Sequence, residues 1–217
     1  MTQSGLWWNV KPSPPYYPNL ITVSPNVDLT QLMDLLHELS RDGAVIGIKD
    51  SFNTLDLTLS GFSVLFGASW IWRDPVRSQR NTSQRELRWA KIDSSSSLER
   101  WEQEWHPDRE SGVLNQPIYG RSLLCSPEIR FVAAYAGSDL VGGAALTETE
   151  GTIGVTCTFF RGINPQNMRQ ELIAYIAETY PACPIIGYAF GQELEAMKEL
   201  GFKEIGPLRV WLGSAAR

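Results

Sequence analysis

Hydrophobic positions along the 217-residue chain change period several times, and each change marks an element. NLITVSP, residues 19–25, reads as a short strand. The run VDLTQLMDLLHELSRDG then places Leu29, Leu32, Leu35, Leu36 and Leu39 at helical spacing, with Asp28 as its cap and Gly43 as its stop. AVIGIKDS predicts a strand, FNTLDLTLSGF a short turn or helix closing on Gly61-Phe62, and SVLFGASWIW another strand. Further on, Ile92 ends a strand, and a serine from residues 94–97 caps a helix whose apolar stripe is Leu98, Trp101 and Trp105. IRFVAAYAG, DLVGGAALTETE and TIGVTCTFF form a three-strand meander joined by GSD and EG turns. NPQNMRQELIAYIAETYP is a helix with Met168, Leu172, Ile173 and Ile176 on one face. CPIIGYAF is a strand, GQELEAMKELGF a helix ending at Gly201-Phe202, and KEIGPLRVWLG a closing strand.

Two stretches break the pattern. The first eighteen residues contain KPSPPYYP, whose four prolines remove donors and hold the backbone extended, against a regular helix or a central strand. Trp7, Trp8, Tyr16 and Tyr17 suit an arm packed across the body; the alternative is a ligand for a partner. Residues 73–88 are polar and rich in arginine, which fits a solvated connector or, alternatively, an anion site. The expected organisation is an arm over 1–18, a smaller βαβ-type unit over 19–74, a connector over 75–88 and a larger domain over 89–217.

Charge and composition narrow the class. Nineteen basic residues against twenty-four acidic leave a net charge of -5, so no nucleic-acid partner is expected. No apolar run approaches the roughly 20 residues of a membrane-spanning helix, and MTQSGLWWNV lacks the pattern of a secretory signal. A cytoplasmic protein without membrane contact is therefore expected. Cys125, Cys157 and Cys183 lack the spacing of a disulfide framework or zinc site, and Cys157 reads as a small core residue. His37 lies on a helix surface, while His106, before Pro107, falls in a loop as the more accessible of the two. No metal site is expected.

The meander feeding strand-helix-strand-helix-strand, with the ELGF segment closing the second of these helices, resembles the GCN5-related N-acetyltransferase (GNAT) superfamily over about residues 89–212. The resemblance implies an α/β (α+β) fold, with a mixed, largely antiparallel sheet flanked by helices and preceded here by the smaller βαβ-type unit. Strand, helix, strand, short helix, Gly-Phe and strand also occur in residues 20–72, so the amino-terminal unit reads as a degenerate half-copy; the alternative is coincidence, because Gly-Phe is common. A half-copy exposes a strand edge that must dock on the complete domain or on a second chain, giving a homodimer through the sheet edge.

What the resemblance implies chemically is acyl transfer from acetyl-CoA or another acyl-CoA to the amine of a small molecule or peptide. The pantetheine of the cofactor would lie between two splayed strands, with its pyrophosphate on backbone amides at the start of the next helix. Carried onto this sequence, the cofactor-binding positions are Thr158, Phe159, Phe160, Arg161, Gly162, Asn167 and Arg169. The family's Q/R-x-x-G-x-G/A pattern is replaced by RGINPQNMRQEL: Pro165 removes a donor, and Arg161 or Arg169 would pair with phosphate as side chains. Where the family often keeps a tyrosine acid this chain has Met197, and where it often keeps an asparagine it has Gly191. Tyr188 is the substitute acid, or a structural strand aromatic. Glu148 is the candidate base, with Glu150 and Glu193 behind it; the alternative for Glu148 and Glu150 is a pair of solvated turn carboxylates.

Outside the resemblance, Lys49, Asp50 and Ser51 end a strand where α/β folds place ligands, although an ion pair with a capping Asp50 and Ser51 is the plainer explanation. Arg209 faces the opposite side of its strand from Leu208 and Val210, toward an acidic partner in the meander or a cleft. Three function classes remain. The first is an acyl-CoA-dependent N-acetyltransferase. The second is a catalytically degenerate GNAT-fold module for binding or dimerisation, and the third an acyl transferase whose donor is not coenzyme A.

Overall fold

A computed structural model describes residues 2–9, 13–75, 87–106 and 117–214. Most of the arginine-rich connector lies outside these residues. In chain order the elements are β1 (Thr2–Gln3), β2 (Leu6–Trp8), β3 (Leu20–Thr22), α1 (Leu29–Leu39), β4 (Ile46–Asp50), β5 (Phe62–Arg73) and β6 (Arg88–Lys91). Then come α2 (Ser95–Trp105), β7 (Ile129–Ala136), β8 (Asp139–Thr149), β9 (Thr152–Phe160), α3 (Pro165–Thr179), β10 (Ile185–Ala189), α4 (Gly191–Glu199) and β11 (Lys203–Gly213). The arrangement is the expected mixed, largely antiparallel α+β fold. Two compact units make it up: Met1–Ile71 with Tyr188–Glu195 and Glu204–Arg217, and Trp72–Gly187 with Ala196–Lys203.

In the first unit the strands are ordered β1-β2-β3-β4-β11-β5. β3 and β4 are parallel, whereas β1 with β2, β2 with β3, and β4 with β11 are antiparallel. Helix α1 forms where the leucine spacing predicts it, and the Asp28 carboxylate accepts from the Thr30 and Gln31 amides at its start. Its buried face, Leu32, Leu35 and Leu36, packs with Leu6, Leu20, Ile46, Ile48, Phe62 and Trp211 into one core. Gly61 takes φ +88, a left-handed geometry suited to glycine, and so drops Phe62 into that core. One expectation fails: β2, inside the amino-terminal arm, is an inner strand paired on both sides. The prolines begin only after it, so residues 6–8 keep their donors.

Asp50 closes the other end of β4. It is fully buried; one carboxylate oxygen accepts from the Leu55 amide at 2.8 Å, and the other from the Thr22 hydroxyl and the Phe52 amide at 3.4 Å each. A buried carboxylate held by several donors fixes the loop that follows it.

The second unit runs β10-β9-β8-β7-β6, antiparallel except for the β9–β10 pair. Its centre is Trp101, fully buried on α2, with ring centroids of Phe131, Phe159 and Tyr119 at 5.1, 5.4 and 5.9 Å. The indole N–H donates to the Val132 carbonyl at 2.9 Å, so the polar edge of the ring is satisfied in the core. Gly143 on β8 lies directly beneath, where any Cβ would run into the Trp101 indole nitrogen and the Phe159 ring. Glu102, the next residue on α2, is buried and accepts from the backbone amides of Ile118 and Tyr119, tying the segment before β7 to the helix. His106 is buried at the end of α2 and His37 is exposed, the reverse of the expected accessibility; α2 carries its stripe through its last turn and takes His106 with it.

The cost of disturbing this centre follows from its packing. Trp101→Ala is expected to lower unfolding stability by about 3–5 kcal/mol, through lost burial and a residual cavity. Gly143→Ala is expected to cost about 1–3 kcal/mol, because β8 must move off the ring. Urea unfolding followed by circular dichroism reads both; a Gly143→Ala protein as stable as the parent would contradict the packing described.

Candidate functional site

The register of β8 on β9 runs from Thr149↔Thr152 to Ala145↔Thr156, then resumes at Gly143↔Phe159. Cys157 and Thr158 therefore stand against Ala144 alone, which is a β-bulge. Cys157 adopts φ +53, a left-handed conformation that costs a non-glycine residue energy and kinks the strand. Its thiol lies 3.2 Å from the Tyr119 hydroxyl and packs against the Trp101 cluster. The parallel ladder to β10 pairs Ile185↔Ile153 and Ile186↔Gly154 and, among the described residues, stops there, although β9 continues to Phe160. One edge of β9 downstream of Gly154 is thus left without a ladder, on the side where β10 begins alongside it.

The predicted cofactor positions follow this bulge. Thr158 is exposed, Phe159 is buried against Trp101, and Phe160 is half-buried, with the Arg169 guanidinium 5.6 Å from its ring. The Arg161 amide donates to the Val141 carbonyl and its guanidinium to the Glu104 carbonyl at 2.7 Å, which ties the side chain to the end of α2. Gly162 takes φ +66 with open space where a Cβ would stand. At the start of α3, Pro165 has no N–H, and the Asn164 side chain accepts from the Gln166 and Asn167 amides at 2.8 and 3.4 Å. The Met168 amide donates to the Asn164 carbonyl. The first turn of α3 is capped from within, so it does not fit a pyrophosphate as an open cradle of amides; an anion there must displace the Asn164 side chain.

The two predicted catalytic residues have different settings. Glu148, opposite Ile153 and upstream of the bulge, pairs with Arg130 at 2.7 Å, and Arg130 lies over the Tyr180 ring at 5.6 Å. Burial raises the Tyr180 hydroxyl above its ordinary range, opposed by Arg130 and reinforced by Glu148. Glu148 belongs to the second unit and Tyr188 to the first. Met197, on α4, accepts the Phe202 amide through its carbonyl and helps form the Gly201-Phe202 corner.

Tyr188 sits in a group of side chains to which no sequence pattern links it. Strand alternation sends Asp50 into the core and Lys49 to the opposite face, so the expected Lys49–Asp50 ion pair does not form. The Lys49 ammonium instead lies 4.2 Å from the centre of the Trp70 ring and 4.4 Å from that of Tyr188. Trp70 is held by its indole N–H, which donates to the Ser51 carbonyl at 2.8 Å. Phe66 stacks on Tyr188 and Phe190, with centroids 6.4 and 5.3 Å apart. Burial lowers the Lys49 amine to about 8. Alternation along β5 and β10 predicts which aromatics share a face, but nothing local in the sequence predicts that the two strands meet. Arg209 lies over the Trp211 ring at 5.2 Å rather than beside a carboxylate of the meander.

Among the described residues, no group of three or more His, Cys, Asp or Glu is placed to hold a metal, and no helix is long and apolar enough to cross a membrane.

The depressed amine makes stability depend on pH with a definite sign. Below about 8 both folded and unfolded Lys49 are protonated and the folded chain carries the desolvation cost; between about 8 and the ordinary 10.5 only the unfolded chain holds the proton, so Lys49 makes stability rise with pH. Lys49→Met is expected to abolish that rise, and to be at least as stable as the parent at neutral pH. Paired chemical unfolding curves across this range check it, and identical pH slopes for the two proteins would contradict it.

Neither a protein-family model nor a curated protein matches the sequence. Solved structures do match the fold. A functionally unknown conserved protein from Staphylococcus epidermidis superposes with TM-score 0.65 at 14% identity, over 91% of this chain and 84% of its own. A GCN5-related N-acetyltransferase from Kribbella flavida gives TM-score 0.61 at 14% identity, over 91% and 81%. A tandem GNAT protein from the clavulanic acid biosynthesis pathway gives 0.55 at 11% identity, over 87% and 69%. With the meander, the bulged β9, the Gly-Phe corner and these superpositions, the chain has the fold of the GCN5-related N-acetyltransferases.

Proposed function

We propose that the protein is an N-acyltransferase that moves an acyl group from an acyl thioester to an amine of a small molecule or peptide, with acetyl-CoA or another acyl-CoA as donor. The observation that carries this reading is the bulge at Cys157 together with the ladder to β10 that stops after Gly154. A strained non-glycine residue persists only where its surroundings hold it, and here it accompanies a stretch of β9 with no ladder to β10 among the described residues, along which an extended thioester arm would lie. Thr158, Phe160 and Gly162 are the positions nearest that edge, with Arg161 and Arg169 as the cations beside the start of α3. The coenzyme's pyrophosphate does not fit the capped first turn of α3, so no step is assigned to it. Glu148, in the same unit as these positions, is the proposed base, only after release from Arg130.

A second reading, a catalytically degenerate module of the same fold, is favoured by the capped α3 and by the ion pair that occupies Glu148. We further read residues 19–74 as a degenerate half-copy of residues 89–217. Supporting it, Gly61 and Gly201 take φ +88 and +85, and Phe62 and Phe202 are equally buried after them. The two following strands, β5 and β11, are neighbours, so β4 pairs with the strand that ends the chain rather than with the one that follows it.

Thermal unfolding with millimolar acetyl-CoA, coenzyme A and pantetheine, followed by thiol release with a panel of amines, separates the two readings. The enzyme reading expects stabilisation by the acyl thioester and thiol release that Glu148→Gln lowers by about 10²-fold. Asn164→Gly, which uncaps α3, is expected to strengthen binding of coenzyme A relative to pantetheine. Neither stabilisation nor thiol release would favour the binding module.

A further inference from the structure

We propose that the aromatic face built by Lys49, Phe66, Trp70, Tyr188 and Phe190 on the first unit binds a small organic carboxylate with a flat, apolar body, its carboxylate paired with the Lys49 ammonium. Burying an ammonium is costly unless it gains a counter-charge. Among the described residues Lys49 has no carboxylate partner: its sequence neighbour Asp50 is turned into the core, where Leu55, Phe52 and Thr22 already satisfy it. The rings around Lys49 are held in place rather than collapsed over it. Trp70 is fixed through Ser51, edge-on to Tyr188 at 5.9 Å, and Phe66 stacks at 19° and 23° to Tyr188 and Phe190.

The face is also open. Tyr188 is 39% exposed, Phe190 52% and Val64, two residues before Phe66, 49%. Large apolar groups left in water beside a desolvated cation specify a ligand by charge as well as by shape. Lys49 already occupies the faces of Trp70 and Tyr188, so a second cation is repelled and a neutral aromatic gains stacking alone. An anionic aromatic gains both stacking on Phe66 and Phe190 and the ion pair. This site lies within the first unit, and its test measures equilibrium binding, so it stands or falls separately from acyl transfer.

Isothermal titration of the full chain with phenylacetate, phenylacetamide and benzylamine tests it, with Trp fluorescence as a second readout. Phenylacetate is expected to bind at least about tenfold more tightly than its neutral amide and benzylamine more weakly than either. Its affinity is expected to fall by up to about tenfold per pH unit above the amine's titration near 8. Lys49→Met is expected to erase the preference for the acid over the amide. Phe190→Ala, a change at an exposed ring, is expected to weaken both ligands severalfold without loss of folding. Equal affinities for acid and amide, or an acid preference that survives Lys49→Met, would overturn the proposal. So would absence of phenylacetate binding together with a concentration-dependent dimer that Phe190→Ala dissolves, since the face would then belong to a second copy of the chain.

Discussion

Pairing of β11 with β4 brings the end of the chain onto a strand near its beginning. Ile46 to Asp50 face Gly213 to Arg209 in strict antiparallel order, and β5 lies along the other side of β11. Gly213 fits there because its missing Cβ lets it approach the Gly61 carbonyl and Phe62. Without this ladder the core of the first unit would lack Trp211, and β4 would end as an unpaired edge. The pairing is also highly non-local, so the first unit closes only once β11 is present. The aromatic face depends on it too: Val210 stands opposite Lys49 in the register and fixes where β4 presents that side chain.

In the second unit the comparable constraint is the indole of Trp101. It requires glycine at 143, and its ring partner Phe159 lies just past the bulge that displaces Cys157 and Thr158. Packing on one face of the sheet thereby holds strained backbone in place, which is how local strain is kept from relaxing. The same region shows economy at the start of α3. Proline at N1 and asparagine at the cap make a stable helix end, and stability achieved that way removes the donors an anion would use. A helix start optimised for its own satisfaction and one optimised for phosphate draw on the same amides.

Much of this architecture is legible in the sequence. Leucine spacing with Asp28 locates α1, the serine run with Leu98 and Trp101 locates α2, and alternation with GSD and EG turns locates the meander, because each rests on short-range period and capping. What escapes is set by contacts between distant segments. Strand β2 is hidden by its proline-rich sequel, and the placement of β11 beside β4 has no local signature. The bulge at Cys157 is invisible because nothing in VTCTFF departs from a regular strand. Glu102 reads as one more polar residue of WEQEW, yet it is buried and binds two backbone amides that arrive from residues 118 and 119. For the candidate site the sequence offers positions 158–169 as expectations and says nothing of their state, since capping by Asn164 and anchoring of Arg161 to Glu104 depend on geometry.

Lys49 and Asp50 put the same lesson in its smallest form. Adjacent residues of opposite charge suggest an ion pair, but on a strand they point to opposite faces and meet different environments. The carboxylate, inside, finds backbone donors from the loop that follows it and a hydroxyl from β3, so its charge is compensated where it is buried. The ammonium, on the other face, finds ring faces instead of a carboxylate. Quadrupoles offset only part of a lost hydration shell, and burial still pulls the amine down to about 8. A fold that satisfies one member of a charged pair so completely, while leaving its neighbour to aromatic contacts at an open face, has distributed the two charges unequally between stability and availability. The carboxylate is structural, and the ammonium is the group with capacity left for a ligand.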